Sequence, residues 1–515
     1  MREELPEGWA SVPLAKLGRW AGGGTPSKAV HEYWENGTVH WVSPKDMKRL
    51  LIDSAQDQIT QLAVSESATS IIPANSVLMV TRSGILDHTF PVAVNTVPVA
   101  MNQDLKAISP LAGIDAVYTA YFLKSRQQDI LRECSKDGTT VSSIDSDRLG
   151  AYEVTLAPTA EQQRIVSKID ELFSRIDEGE RALERVQKLV ERYRQSVLKA
   201  AVTGELTREW REKNAGKIES GETLLARILD ARRKAWEKAE LDKMKAKGAK
   251  PTNDIWKERY EEPALPGANG MPQLPSEWCW LFVDTICFVT KLAGFEYTKH
   301  VKYDEAGDLA VLKAENAGRF GFKRTAFSHV SSESVAMLTR SVLRPGDLLM
   351  VFVGAGTGNV ARVPADQRYF LGPNIGMLRA ESPMILEEYL EYYLRSPIGN
   401  RLTLDFAKAV AQPSLSMGAI RKIAIAIPPL AEQQALVDKI NSAFALADVA
   451  IGEIGDRLAG SRALRSSILN TAFAGHLVPQ DSADEPASAL LKRIAMQRND
   501  AASAATPRRT RKSKA

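Results

Sequence analysis

Two segments carry the residue types that hold nucleotides. Gly354-Ala355-Gly356-Thr357-Gly358 follows the apolar run Val351-Phe352-Val353, as a phosphate-cradling loop follows a strand. Such a loop needs a helix directly behind it, so that free helix amides meet the ligand. Here Asn359-Val360-Ala361-Arg362-Val363-Pro364 follows, a strand with a proline stop, and a hairpin turn is predicted instead. Ile427-Pro428-Pro429-Leu430 has the paired prolines of enzymes that hold an extruded adenine. It lacks an Asn or Asp before them to bond the amino group, and an aromatic after them to stack on the base. No GxxxxGKS/T, HExxH or Ser/His/Asp elbow is present. The three cysteines, Cys134, Cys279 and Cys287, form no CxxC, and the six histidines are scattered, so neither a metal site nor a disulfide framework is predicted. Recognition, not catalysis, is the expected business of this chain.

The elements that position its residues are written twice. Ala160-Glu161-Gln162-Gln163 recurs as Ala431-Glu432-Gln433-Gln434 at an offset of 271. The same offset carries Val166, Lys168-Ile169, Phe173, Asp177, Ser196, Leu198, Gly204 and Leu206 onto Val437, Lys439-Ile440, Phe444, Asp448, Ser467, Leu469, Gly475 and Leu477. A constant offset without insertions suits a rod. The repeat extends to Leu5-Pro6-Glu7-Gly8-Trp9 and Leu274-Pro275-Ser276-Glu277-Trp278. It also reaches Leu224-Leu225-Ala226-Arg227-Ile228 and Leu490-Leu491-Lys492-Arg493-Ile494. Each half is a lead-in, a head, a long shaft and an amphipathic coda.

The shafts read as helices. Ile165, Ile169, Leu172, Ile176, Gly179, Leu183, Val186, Val190, Tyr193, Val197 and Ala200 alternate steps of four and three, the spacing of a coiled-coil seam. Pro158 and Thr159 suit the helix start and Gly204 its stop. The second stripe, Leu436, Ile440, Phe444, Ala447, Ile454, Leu464 and Ile468, is interrupted by Arg457, Ser461 and Thr471. Ile165, Ile169, Leu172, Ile176, Ile440, Phe444 and Ile454 are therefore expected to pack the two shafts together. The heads read as β-rich mixed domains, with strands at Ser76–Thr81, Pro91–Val94 and up to Val351, and helices at Ala116–Ser125 and Leu386–Arg395. Glu222–Lys250 reads as a mostly exposed charged helix and Pro263–Pro275 as linker.

Composition sets bounds on the partners. The 515 residues are 44% hydrophobic and 25% charged, with 67 basic against 63 acidic residues and a net charge of +4. Total charge alone selects no nucleic-acid partner. Arg508, Arg509, Arg511, Lys512 and Lys514 form a basic run, read either as a solubilising tail or as a phosphate-contacting arm. No run approaches eighteen apolar residues, and the first residues lack the apolar segment of a secretion signal, so a cytoplasmic protein with no membrane span is expected.

Leu5-Pro6-Glu7-Gly8-Trp9, Gly22-Gly23-Gly24-Thr25-Pro26-Ser27, Tyr33-Trp34 and Trp41-Val42-Ser43-Pro44-Lys45-Asp46-Met47 resemble the first target recognition domain of a Type I restriction–modification specificity subunit. Pro158 through Ile169 and Pro428 through Ile440 resemble that family's shaft starts, and Leu312-Lys313-Ala314-Glu315-Asn316 a second form of its Trp-Val-Ser-Pro-Lys strand. The second head departs from the pattern at Phe288-Val289-Thr290-Lys291, which stands where the glycine loop would be.

The resemblance implies an α+β fold, with two mixed α/β target recognition domains joined by two long antiparallel coiled-coil helices in a pseudo-two-fold repeat. The expected domains are residues 1–157 (first head), 158–206 (central helix), 207–272 (charged extension and linker), 273–427 (second head), 428–478 (C-terminal helix) and 479–515 (coda and tail). It further implies a non-catalytic subunit whose heads each grip half of a split, asymmetric site in double-stranded DNA. From Ile165 to Ala200 a helix rises roughly 50 Å, or about 15 base pairs, which would set the gap. Two modification subunits would dock on the shafts and two restriction (motor–nuclease) subunits complete the complex. S-adenosylmethionine, ATP and magnesium would belong to those partners, and no cofactor to this chain. Candidate DNA contacts are Thr25, Ser27, Lys45, Lys48, Arg49, Arg82 and Asn102 in the first head, and Lys313, Asn316, Lys323, Arg324 and Arg362 in the second. Two other readings stand beside this one: a stand-alone DNA methyltransferase or nuclease with atypical motifs, and a scaffold whose heads bind protein.

Overall fold

The fold is α+β and built twice. A computed structural model describes residues 5–136, 141–251, 253–267, 270–354, 356–406 and 414–504, with side chains to 496. The basic run from Arg508 lies outside them. The chain divides into two compact units, Met1–Glu184 with Gly455–Ala515, and Arg185–Ile454. Each unit therefore takes one head, one part of each long helix, and one coda. The units do not follow the linear order of heads and shafts.

In the first unit, Ala10–Pro13 pairs antiparallel with Glu153–Leu156, so the head's two ends meet. Its main sheet runs in the order Gly18–Gly22, Leu105–Pro110, Ser76–Val80, Val92–Asn95, Leu51–Ile52. A smaller sheet sets Val39–Val42 between antiparallel Asp57–Ile59 and parallel Ala100–Met101. The second head repeats this plan. Cys279–Phe282 pairs with Ala424–Ile427, the main sheet runs Cys287–Lys291, Ile375–Ala380, Leu348–Val351, Val360–Arg362, and Leu309–Leu312 lies between antiparallel Ser328–Val330 and parallel Tyr369–Leu371. Ser76–Val80 and Leu348–Val351 are buried along their whole length, as unbroken apolar runs require. Leu348–Val351 and Val360–Arg362 are antiparallel neighbours, so the glycine motif between them turns a hairpin, as predicted.

Both long helices, Thr159–Val202 and Leu430–Phe473, have 44 residues. They end at Gly204 and Gly475, with φ of 77° and 78°, a left-handed conformation that glycine adopts without strain. A Cβ on Gly475 would stand 2.3 Å from the Pro6 ring, and one on Gly204 2.5 Å from the Pro275 ring. Each lead-in thus closes on the helix end that its unit takes from the other half of the sequence.

The repeated Ala-Glu-Gln-Gln is a joint between head and shaft. Trp9 Nε1 donates to Glu161 at 3.0 Å, and Trp278 Nε1 to Glu432 at 2.9 Å. The next residue reaches the other way. Gln162 accepts from the backbone N–H of Asp115 at 2.9 Å, and Gln433 from that of Leu386 at 2.8 Å. Asp115 and Leu386 begin the head helices Ala116–Ser125 and Glu387–Arg395. All four side chains are buried. One helical turn therefore fixes both the lead-in and the head helix.

The long helices pair antiparallel inside each unit. Ile165 and Ile169 are buried in the first core, which also contains Tyr118, Phe122, Ile468, Leu469, Ala472 and Phe473. Leu172 and Ile176 pack half-buried against it. Ile440 is buried in the second core beside Val197, Leu198, Ala201 and Val202, with Phe444 packed against it, and Ile454 is also buried. The same polar latch clasps each pair. Arg465 bonds Asp177 at 2.5 Å and Glu180 at 3.0 Å and lies over Phe173. Arg194 bonds Asp448 and lies over Phe444. These arginines are themselves 271 apart.

On the first long helix the predicted seam is buried only where a head's core covers it, Val186 and Tyr193 being 43% and 48% exposed, whereas on the second Ala447 and Ile454 are buried outside the head cores. A pair of helices offers each apolar stripe one neighbour, which hides about half of it.

Candidate nucleic-acid interface

In each head the inner strand of the small sheet runs into one tight turn. Val39–Val42 leads to Pro44–Asp46, where the Ser43 N–H donates to Asp46 at 2.8 Å. Leu309–Leu312 leads to Ala314–Asn316, where the Lys313 N–H donates to Asn316 at 2.8 Å. Trp-Val-Ser-Pro-Lys-Asp and Val-Leu-Lys-Ala-Glu-Asn thus make the same turn with different exposed residues, Lys45 in one and Glu315 in the other.

The neighbouring hairpin closes against this turn. The Asn102 N–H donates to Val42 O at 2.9 Å, and in the second head the Gly372 N–H donates to Leu312 O at 2.8 Å. Gly23 and Gly24 let their loop press on backbone at Asn102 and Ala68, where a side chain would have no room. The exposed Thr25 is carried beside Gln103, to which its hydroxyl bonds. Arg82 stands at the end of Ser76–Val80, paired through Nε with Asp104 at 2.7 Å. Pro44, Arg82, Ser83, Gly84, Asp104, Val141 and Ser143 line an open cleft of about 580 Å³. No residue of a long helix contributes to that lining.

The other candidate residues fall in several places. Ser27 is exposed, and its carbonyl accepts from Trp34 Nε1. Lys45 is exposed 3.9 Å from Asp57. Lys48 borders a groove with Tyr121, Asp170 and Arg465, next to the long helices and apart from the cleft. Arg49 is paired with Asp53 at 3.0 Å. Asn102 is buried, its amide committed to Asp104. Asn316 is 1% exposed, its amide donating to Lys323 O and Thr325 Oγ1. Both asparagines hold turns, so neither amide is offered to a ligand. Lys313 lies half-buried, with Nζ 2.9 Å from Ser328 Oγ and over the Tyr303 ring. Lys323 is exposed. Arg324 is paired with Asp366, which also accepts from Tyr369 at 2.9 Å. Arg362 is held by Glu388 and Glu391 of the head helix, where the two carboxylates neutralise it. Asp104 and Gln103 were not legible in the sequence, because only the strand register brings them beside Arg82 and Thr25.

The remaining chemistry is sparse. Burial pushes the thiols of Cys134 and Cys279 up to about 11 and about 12, and that of Cys287 higher still, so none is a thiolate nucleophile at neutral pH. Among the described residues no group of three His, Cys, Asp or Glu could hold a metal, and no helix is long and apolar enough to cross a membrane.

A family model described as Type I restriction modification DNA specificity domain matches residues 6–187 and 302–448, more than half of the chain. The chain belongs to this family. It is 48% identical over 185 residues to the EcoR124I/EcoR124II specificity subunit of Escherichia coli, a match covering 35% of this chain and 46% of that protein. It is 22% identical over 516 residues to the EcoKI specificity subunit of Escherichia coli strain K12, covering 96% of each. A chain from a structural study of complex assembly and conformational transition in the type I R-M system superposes with a TM-score of 0.60 at 17% identity, over 92% of this chain and 99% of that one, a likeness of fold. Nothing in these similarities supports a stand-alone methyltransferase or nuclease.

Proposed function

We propose that the chain is the DNA-reading subunit of a Type I restriction–modification complex. Each head reads one half of a bipartite, asymmetric site in double-stranded DNA, and the paired long helices fix the gap and dock two modification subunits. Those partners flip and methylate one adenine in each half-site, and two restriction subunits complete the complex in the cytoplasm. S-adenosylmethionine, ATP and magnesium belong to the partners. Consistent with that assignment, the glycine motif of residues 354–358 joins two antiparallel strands and not a strand to a helix.

The observation that carries this reading is the repetition of one topology with different residues at matching positions. Lys45 and Arg82 of the first head correspond to Glu315 and Val353 of the second. Two frames of one design with unlike edges suit two unlike half-sites.

The test is a methylation map. The chain with its modification subunit is expected to mark adenines in two short blocks separated by a fixed unread gap, and the chain alone to mark none. A single contiguous motif, or methylation by the chain alone, would contradict the proposal. DNA binding should also weaken steeply with salt, whereas a protein-binding scaffold would be largely indifferent.

A further inference from the structure

Arg82 is held more firmly than its exposure suggests. Its backbone N–H and that of Thr81 both donate to Asp104 O, at 3.2 and 2.8 Å, and on the other side Arg82 forms a β-bridge with Ser143. The side chain is fixed as well. Its Nε donates to Asp104 Oδ1 at 2.7 Å, and Asp104 Oδ2 accepts from the buried Asn102 at 3.1 Å. Asn102 Oδ1 closes the ring by accepting from the Asp104 N–H at 3.0 Å. The guanidinium thus spends only its Nε. Among the described residues nothing pairs with its two terminal nitrogens, and the side chain is 55% exposed at the cleft.

We propose that Arg82 is the residue by which the first head selects a guanine, with Asp104 its positioning residue. The proposal rests on the reading of the heads as DNA readers. A planar fork with two free, parallel donors matches guanine O6 and N7 and no other base edge. A fork fixed in advance loses little freedom on binding, so more of its bond energy goes into discrimination. The neighbouring carboxylate favours a base edge over a backbone contact: it repels a phosphate held by the same arginine but not the neutral edge of a base. In the second head Val353 takes the place of Arg82, forming the matching bridge with Ser414, and Asn374 takes that of Asp104, accepting from the Phe352 N–H at 3.2 Å. That position therefore carries no guanidinium, so this guanine contact belongs to the first head's half-site.

The experiment uses the assembled methylating complex on a DNA library randomised in both half-sites, with wild type, Arg82→Ala and Asp104→Asn. Wild type is expected to require a guanine at one position of one half-site. Arg82→Ala should lower preference for that guanine by about tenfold to a hundredfold, leaving the other half-site's preferences intact as the control for folding. Asp104→Asn should lower preference at the same position, although Asp104 touches no DNA; a merely structural role would not be confined to one base. Equal weakening on every sequence by Arg82→Ala, with the salt slope reduced by about one, would make Arg82 a phosphate contact and overturn the proposal. Retained guanine preference in Arg82→Ala would overturn it too. A wild-type complex without any sequence preference would instead refute the DNA-reading function beneath it.

Discussion

Replacing Glu432 by glutamine is expected to cost the second unit about 3–5 kcal/mol, while the same change at its counterpart Glu161 should cost the first unit nothing. The two residues occupy the same joint, each accepting from a tryptophan. Glu432 also bonds Arg211, which is 13% exposed, and accepts from Thr207 at 2.6 Å. Removing its charge leaves a mostly buried guanidinium without a counter-ion. Glu161 has no such partner: its other oxygen is buried and unbonded. Burial raises its pKa, against the opposing hydrogen bond from Trp9. A raised carboxylate pKa means the folded unit holds the proton more tightly. Stability from this group is therefore fully present below about pH 4.3, where an unfolded glutamate ionises, and is lost as pH rises through the folded value. Glu161→Gln should accordingly match wild type in acid and gain on it towards neutral pH. Amide exchange in Cys279–Phe282 and at Ala10, Ser11 and Val12 reads the two units separately. Equal losses at both sites would show that the partners of Glu432 are unimportant.

Phe473→Ala is expected to destabilise the first unit by about 3–5 kcal/mol. Phe473 ends the second long helix, is 3% exposed, and meets the edges of Tyr118 at 5.2 Å and Phe122 at 5.3 Å. Removing the ring opens a cavity where the long helix meets the head helix. The matching residue of the first long helix is Val202, so Val202→Ala should cost only about 2 kcal/mol, in the second unit. Amide exchange again assigns each loss. A Phe473→Ala protein with undiminished protection at Ala116–Ser125 would mean that the helix end does not anchor this head.

The architecture was legible because it depends on spacing. A fixed offset of 271, apolar steps of four and three, and glycines at the helix ends leave few alternatives. The glycine hairpin was legible for a similar reason, since a strand with a proline stop cannot supply helix amides. The reading edge was less so. Asn102 and Asn316 have the chemistry to read bases, but turn geometry consumes their amides, and a one-residue motif does not reveal its own hydrogen bonds. Arg324 and Arg362 carry charge, yet Asp366, Glu388 and Glu391, distant in sequence, neutralise them. The Arg194 and Arg465 latches could have been found, because they obey the same offset as the rest of the repeat.

The most direct test of two heads held at a set distance is to shorten both long helices together. Deleting residues 183–189 and 453–459 removes seven residues, about 10 Å of rise, from each. Methylation is then mapped on a library in which the two half-sites are separated by every gap length. The preferred gap should shrink by about three base pairs while both half-sites keep their sequences. If the shortened protein still prefers the original gap, the long helices do not measure the DNA.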